Sequence, residues 1–360
     1  MSQMRATSNH RNPKGIPDAR KGGFTLVELL TVIFIISLLI GLLIPALNAA
    51  RNAAKNAATG ATINAIRVAL DLFKNDHEKD FPRTHGFPPS FAHPELRDGA
   101  LSKQESLDGR FPFVDEKPRV FGAQWLPAML MGVDRQGYVR PKSVPSTGNL
   151  RNEPWKWYEP PPNGPDPALE RSPLYLDPSA TKTIATEKIP GRANHALFPD
   201  WDKMKQLPVI VDSFGQPVLY YVAQANGRTT NMVAREFDQN NAYNGGPQED
   251  GPPIYLHQDN HGFTGHEEDP GWDFGGGLHA IARDGDNLTA ADITLEENRD
   301  TFARFILDRK LYDAIRQEES PPVGKPLIPV NADTYLLISA GVDGRYGTTD
   351  DVTNFSTEVE

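Results

Sequence analysis

The chain has 360 residues and no cysteine, and its mean hydropathy is −0.49. Disulfides are therefore excluded, and most of the chain should be soluble, with any membrane segment confined to a short stretch. The net charge of −10 is divided unevenly: residues 1–23 hold Arg5, Arg11, Lys14, Arg20 and Lys21 against Asp18, a net +4, which leaves −14 on the other 337 residues. An acidic body repels phosphate, so no nucleic acid is expected as a partner of the head. The 32 prolines and 30 glycines suit a loop-rich head rather than a helical bundle.

From Phe24 to Ile44 there are 21 residues with a single charge, Glu28. As a helix they span roughly 31 Å, the thickness of a bilayer's hydrocarbon core. No A-x-A-like cleavage site follows them, as it would in a secretory signal peptide. The helical pattern instead runs on through PALNAARNAAKNAATGATINAIRVALDLFKNDHEKD. Alanine favours helix, and Ile63, Ile66, Leu70 and Phe73 recur at three- and four-residue steps. One long helix is expected from about 24 to 78, with a transmembrane part over 24–44 and an amphipathic spine over 45–80. Pro45 is expected to kink it, and Gly60 to loosen it. Basic residues before a single span place 1–23 in the cytoplasm and the body outside; Arg51 and Lys55, just beyond the span, weigh the other way. A carboxylate well inside a bilayer costs roughly 2.5–3.5 kcal/mol, which a partner offsets in part. On position alone, Glu28 fits either such a partnered group or a shallow one beside the headgroups and Lys21.

KGGFTLVELL resembles the cleavage and methylation signature of type IV pilins and type II secretion pseudopilins. Gly23, Phe24 and Glu28 match the leader's last glycine, the first mature phenylalanine and the fifth mature residue. The resemblance implies that 1–23 is a cytoplasmic leader peptide, cut by a prepilin peptidase between Gly23 and Phe24, and that the new Phe24 amine is N-methylated. It also implies that Glu28 meets the Phe24 amine of a neighbouring subunit during assembly. That amine would be cationic at its usual pKa of about 8.

After Phe81 the pattern changes, and 81–360 is expected to be a globular head. Residues 82–205 read as a loop-rich insertion with short helices, one near 122–132. LPVIVDSFGQPVLYYVAQ, 207–224, reads as a hairpin, with β-prone runs around a DSFGQ turn. Residues 225–296 read as a second, polar and Gly-rich insertion. ENRDTFARFILDRKLYDAIRQEE carries Phe302, Phe305, Ile306, Tyr312 and Ile315 at helical spacing, with Leu307 and Leu311 widening the stripe. DTYLLISAGVDGRYGTTDDVTNF closes the chain as a strand followed by a Gly/Asp-rich loop over 339–352.

DSFGQPVLYY resembles the D-x-W-G-x-P hairpin of major type II pseudopilins, with Phe214 in the tryptophan's place. LISAGVDGRYGTTDDV resembles their terminal calcium loop, matching at Ser339, Gly341, Asp343, Gly344, Gly347, Thr348, Asp350 and Asp351. The resemblance implies a structural Ca²⁺ held by Asp343, Asp350 and Asp351. The chemistry is reasonable, because Ca²⁺ takes six to eight oxygens in flexible geometry. By itself the loop also fits a solvated turn in which aspartates bend the chain.

HQDNHGFTGHEED sets His257, His261 and His266 beside Asp259, Glu267, Glu268 and Asp269, a composition that zinc can use but without H-E-x-x-H spacing. The resemblance points to a pilin-like α+β fold and a non-enzymatic, structural subunit in the inner membrane, single-pass, with its head periplasmic or extracellular. Its implied partners are a prepilin peptidase, other pilin or pseudopilin subunits, and an inner-membrane secretion or pilus assembly platform. A type IV pilus subunit for adhesion, motility or DNA uptake is the alternative. A membrane-anchored extracellular metal-dependent hydrolase or binding domain is the alternative of another class.

Overall fold

The computed structural model describes residues 25–79, 81, 84–90, 121–141, 169–189, 205–225, 227, 254–255, 257–264, 302–307 and 329–355. The chain divides into two compact units, 1–51 and 52–360. Helix α1, Leu26–His77, contributes its first part to one unit and its remainder to the other.

In the first unit, residues 25–50 are exposed throughout, including every apolar side chain from Leu26 to Leu47. Among the described residues this helix is long and apolar enough to cross a membrane. Its few hydroxyls are satisfied within the helix: Ser37 donates to the Ile33 carbonyl at 2.7 Å, and Thr31 to that of Val27. Back-bonding of this kind hides a polar group where water is absent. Pro45 lies inside the assigned helix.

In the second unit, α1 buries Thr59, Ile63, Ile66, Ala69, Leu70, Phe73 and His77. The three- and four-residue steps place these on one face, as a 3.6-residue period requires. Val68 and Leu72, on the opposite side, remain 61% and 51% exposed. Phe73 and His77 close the stripe in a group of rings with Phe81, Tyr138 and Tyr175. Tyr175 adds a polar clasp, its hydroxyl lying 3.0 Å from His77 Nε2 and donating to Asp76 at 2.9 Å.

Helix α2, Gly122–Leu130, is buried over its whole length. It falls inside the 82–205 stretch, at the place expected for a short helix. Gly122 sits so close to β5 (Leu219–Val222) that a Cβ there would stand 2.0 Å from the Tyr220 carbonyl oxygen. Only glycine permits that approach.

The strands form three small antiparallel sheets. β1 (Val139–Pro141) pairs with β2 (Leu169–Arg171), and β3 (Lys182–Ala185) pairs with β4 (Pro208–Val211). β6 (Tyr335–Ser339) lies between β5 and β7 (Val352–Thr353). α1 followed by small antiparallel sheets makes the chain α+β, as the pilin-like reading requires.

Two expectations change in detail. The run 207–224 contains a tight turn, closed by Asp212 N–H to Gln216 O and Val218 N–H to Ile210 O, both at 2.8 Å. Beyond one bridge, Val211 to Pro217, the strands part into different sheets. Pro217 faces Val211 in a pair flanked by these two bonds, a position at which no ladder N–H is required, and past it β4 pairs with β3 while β5 pairs with β6. The helical stripe near 302–315 is helical over Phe302–Ile306 (α3), and Leu307 then bridges Pro329. Residues 308–319 lie outside the described part.

The edge of β5 away from β6 is met by side chains. Asn260 Nδ2 donates to the Tyr220 carbonyl at 2.7 Å, and Val222 N–H donates to Ser90 Oγ at 2.9 Å. The Ser90 hydroxyl in turn donates to Oδ2 of the buried Asp259 at 2.6 Å. Such bonds spare buried backbone groups the cost of lost hydration.

Candidate functional site

The expected site residues fall in two places. At the N-terminus, Gly23 and Phe24 lie outside the described residues, and Glu28 sits in the first turn of α1. Thr25 and Glu28 are joined reciprocally. The Thr25 N–H donates to Glu28 Oε2 at 2.8 Å, and the Thr25 hydroxyl donates to the same oxygen at 2.9 Å. Glu28 N–H donates back to Thr25 Oγ1 at 3.2 Å. This is a capping box, and it satisfies donors that the first helical turn leaves unpaired. Glu28 is thus no bare charge, a point the sequence reading missed. Its signal was present as T-L-V-E, the T-x-x-E spacing of a capping box.

At the other end, the loop from Ala340 to Asp351 links β6 to β7. Gly341 takes φ +61°, and a Cβ there would stand 2.3 Å from the Asp350 carbonyl oxygen. This lets the loop fold back on itself. Asp350 Oδ2 then accepts the amides of Val342 at 2.6 Å and Asp343 at 3.0 Å. Asp351 Oδ2 accepts the Gly347 amide at 2.8 Å. The Thr348 hydroxyl stands 2.6 Å from Asp350 Oδ1 and 3.2 Å from Asp351 Oδ1, between the two carboxylates. Asp343 is exposed and accepts the Arg345 amide at 2.8 Å.

Burial pushes the Asp351 carboxyl up to about 8, and the charges of Asp350 and Asp343 push the same way against the Gly347 and Thr348 bonds. Asp350 is held below its ordinary value: burial would raise it, but Thr348 and the amides of Asp343 and Val342 prevail. The loop therefore favours the charged form at Asp350 and disfavours it at Asp351, and it uses carboxylate oxygens to accept its own amides. Among the described residues, no three His, Cys, Asp or Glu side chains form a group that could hold a metal ion.

Asp212 anchors this loop from outside. It is 2% exposed, its Oδ1 accepts the amides of Phe214 at 2.8 Å and Gln216 at 2.9 Å, and its Oδ2 accepts the Ser339 hydroxyl at 2.7 Å. The next residue, Ser213, donates its amide to Thr59 of α1 at 3.2 Å. Lys55 of α1 stands 4.9 Å above the Phe214 ring. The DSFGQ turn thus joins helix to loop, a role that sequence matching alone did not assign.

The histidine cluster divides differently. Residues 257–260 form a 3₁₀ turn and 261–264 a helical turn. Asp259 is buried against Ser90. The side chains of His257 and His261, and the whole of His266, lie outside the described part.

A model of the prokaryotic N-terminal methylation motif matches residues 18–44. Comparisons with curated proteins and with solved structures each give no match. The matched stretch covers the basic approach, the Gly23–Phe24 bond, the Thr25–Glu28 box and the apolar span. A motif of this kind implies processing by prepilin peptidase and assembly with other pilin subunits. The chain therefore carries a type IV pilin-like prepilin motif at the head of an α+β protein.

Proposed function

We propose that this chain is a structural pseudopilin of a type II secretion system, built into a filament through α1 after the Gly23–Phe24 bond is cut. The observation that carries this reading is the prepilin motif over 18–44, which takes in the start of α1, whose apolar side chains from Leu26 to Leu47 are exposed. Before cutting, the apolar face is covered by lipid and the protein is a single-pass inner-membrane subunit with its head outside. After cutting, the same side chains are free to be covered by neighbouring helices. Secretion is favoured over a pilus by the C-terminal Asp/Gly loop tied to Asp212, which resembles the loop of major pseudopilins. In this proposal Asp343, Asp350 and Asp351 take a structural Ca²⁺ in exchange for their amide bonds. The protein has no catalytic step of its own.

The test is co-expression of the full chain with a prepilin peptidase and with either a secretion or a pilus assembly platform. The expected product starts at a methylated Phe24 and enters filaments with the secretion platform. Glu28→Ala is expected to insert normally and to assemble poorly. A chain that keeps residues 1–23 under these conditions overturns the filament reading. Assembly with the pilus platform alone replaces secretion by the pilus.

A further inference from the structure

The loop between β6 and β7 sets one amide apart from its neighbours. Of the consecutive main-chain amides from Val342 to Arg345, those of Val342 and Asp343 donate to Asp350, and that of Arg345 donates to Asp343 Oδ1 at 2.8 Å. The Gly344 amide makes no hydrogen bond among the described residues. Asp343 is exposed and Gly344 partly so. We propose that Asp343–Gly344 is a self-modification site, at which the Gly344 nitrogen attacks the Asp343 side chain and the peptide link migrates to give isoaspartate.

The geometry favours this attack in three ways. The bond from the Arg345 amide, two residues on, holds the Asp343 side chain folded toward the following peptide. A five-membered ring with the Gly344 nitrogen closes in that same sense, so part of the ordering is done beforehand. The Arg345 amide is also aimed at Oδ1, an oxygen on which negative charge develops as the nitrogen adds. Gly344 itself stands at φ +72°, and beyond its chain neighbours the nearest atom to a Cβ there would be Gln216 Nε2, at 3.4 Å. With no side chain of its own, it leaves its nitrogen unshielded.

The step balances with water alone. The nitrogen forms a bond to Asp343 Cγ, and one carboxyl oxygen leaves as water with the amide proton and a proton from solvent. Water then opens the imide. Opening at the main-chain carbonyl of Asp343 leaves the chain running through Cβ and Cγ, with that carbonyl released as a carboxylate. Isoaspartate thus has one more carbon in the main chain and one fewer in the side chain. The change falls beside the two amides that Asp350 ties down, and it moves the oxygen that Arg345 uses. It therefore loosens the loop and displaces Asp343 from the place proposed for a cation ligand. The chemistry itself needs neither a cation nor an assembly partner.

The experiment holds the full chain in detergent with EGTA at physiological temperature and pH, beside the same chain unfolded in guanidinium. After digestion with trypsin, isoaspartate is read in the peptide ending at Arg345, by electron-transfer fragmentation and by labelling with an isoaspartyl methyltransferase. The folded chain is expected to isomerise at Asp343 several-fold faster than the unfolded one. Folded Gly344→Ala is expected to lose most of the signal. A folded rate equal to or below the unfolded rate overturns the proposal, because the fold then adds nothing to a bare Asp–Gly pair. A Gly344→Ala chain that isomerises like the parent overturns it too. The folded-against-unfolded comparison uses the parent alone, so it decides the matter even where Gly344→Ala fails to fold.

Discussion

The carboxylate of Asp212 accepts the hydroxyl of Ser339 at 2.7 Å, with both side chains buried. One bond thus ties the turn after β4 to the end of β6, where the Asp/Gly loop begins. The same turn reaches α1 through Ser213 and Thr59. Helix, turn and loop form one linked set.

Removing the carboxylate should therefore be felt in all three. Asp212→Ala leaves the amides of Phe214 and Gln216 and the Ser339 hydroxyl without their acceptor. Each buried orphan costs about 1–3 kcal/mol, with the upper end unreached where water enters the turn. A loss of about 2–4 kcal/mol is expected in denaturant unfolding of the fragment 52–360. Asp212→Asn keeps an oxygen for both amides and should lose less than half as much. Equal losses in the two variants would show that charge, not acceptor geometry, is what matters.

Asp212 also sets a pH dependence. Burial raises its carboxyl above the ordinary value, partly countered by the bonds from Ser339, Gln216, Phe214 and Gly215. A raised folded pKa means that the folded state holds the proton more tightly than the unfolded chain does. Its contribution is complete below the unfolded value of about 3.9 and is lost as pH rises through the folded one. Asp212→Asn carries no such term. The stability difference, parent minus variant, is expected to fall as pH rises from about 4 towards neutrality. A difference that rises over that range contradicts this account.

The two faces of α1 should differ sharply. Phe73 is fully buried among aromatic rings, whereas Leu72 is 51% exposed. Phe73→Ala is expected to destabilise the fragment 52–360 by about 3–5 kcal/mol. Leu72→Ala should stay within about 0.5 kcal/mol of the parent. Thermal and denaturant unfolding check both.

Much of this was legible beforehand because the signals are periodic or local. α1 announced itself through an apolar run followed by Ile63, Ile66, Leu70 and Phe73 at helical spacing. β6 and its loop were legible because YLLIS is β-prone and the glycines behind it mark a turn. The pairing of β4 with β3 was not legible. KTIA is short and lies in a proline-rich stretch, and strand partners are chosen by tertiary packing that no local pattern encodes. The side chains that meet the edge of β5 were equally hidden, since Ser90 and Asn260 are distant in sequence from Val222 and Tyr220. In the loop, the three aspartates were visible, but Thr348 between two of them was read only as a matching position.

Calcium gives the sharpest test of that loop. Asp350 and Asp351 crowd the Thr348 hydroxyl, and burial with like charge opposes ionisation of Asp351. A divalent cation would remove both penalties, and a ligand that binds only the folded state stabilises it by mass action. At a calcium concentration 100 times the dissociation constant, that gain is about 2.7 kcal/mol. The melting temperature of the fragment 52–360 is therefore expected to fall by several degrees when EGTA replaces millimolar calcium. Asp343→Ala should abolish the shift by removing a proposed ligand, and because the Asp343 side chain is exposed and accepts the Arg345 amide at the loop surface, its loss should leave the calcium-free fold nearly unchanged. Magnesium, which demands tighter octahedral geometry, should substitute poorly. A parent protein that melts at one temperature with and without calcium has no such site, and the loop is then held by its amide bonds alone.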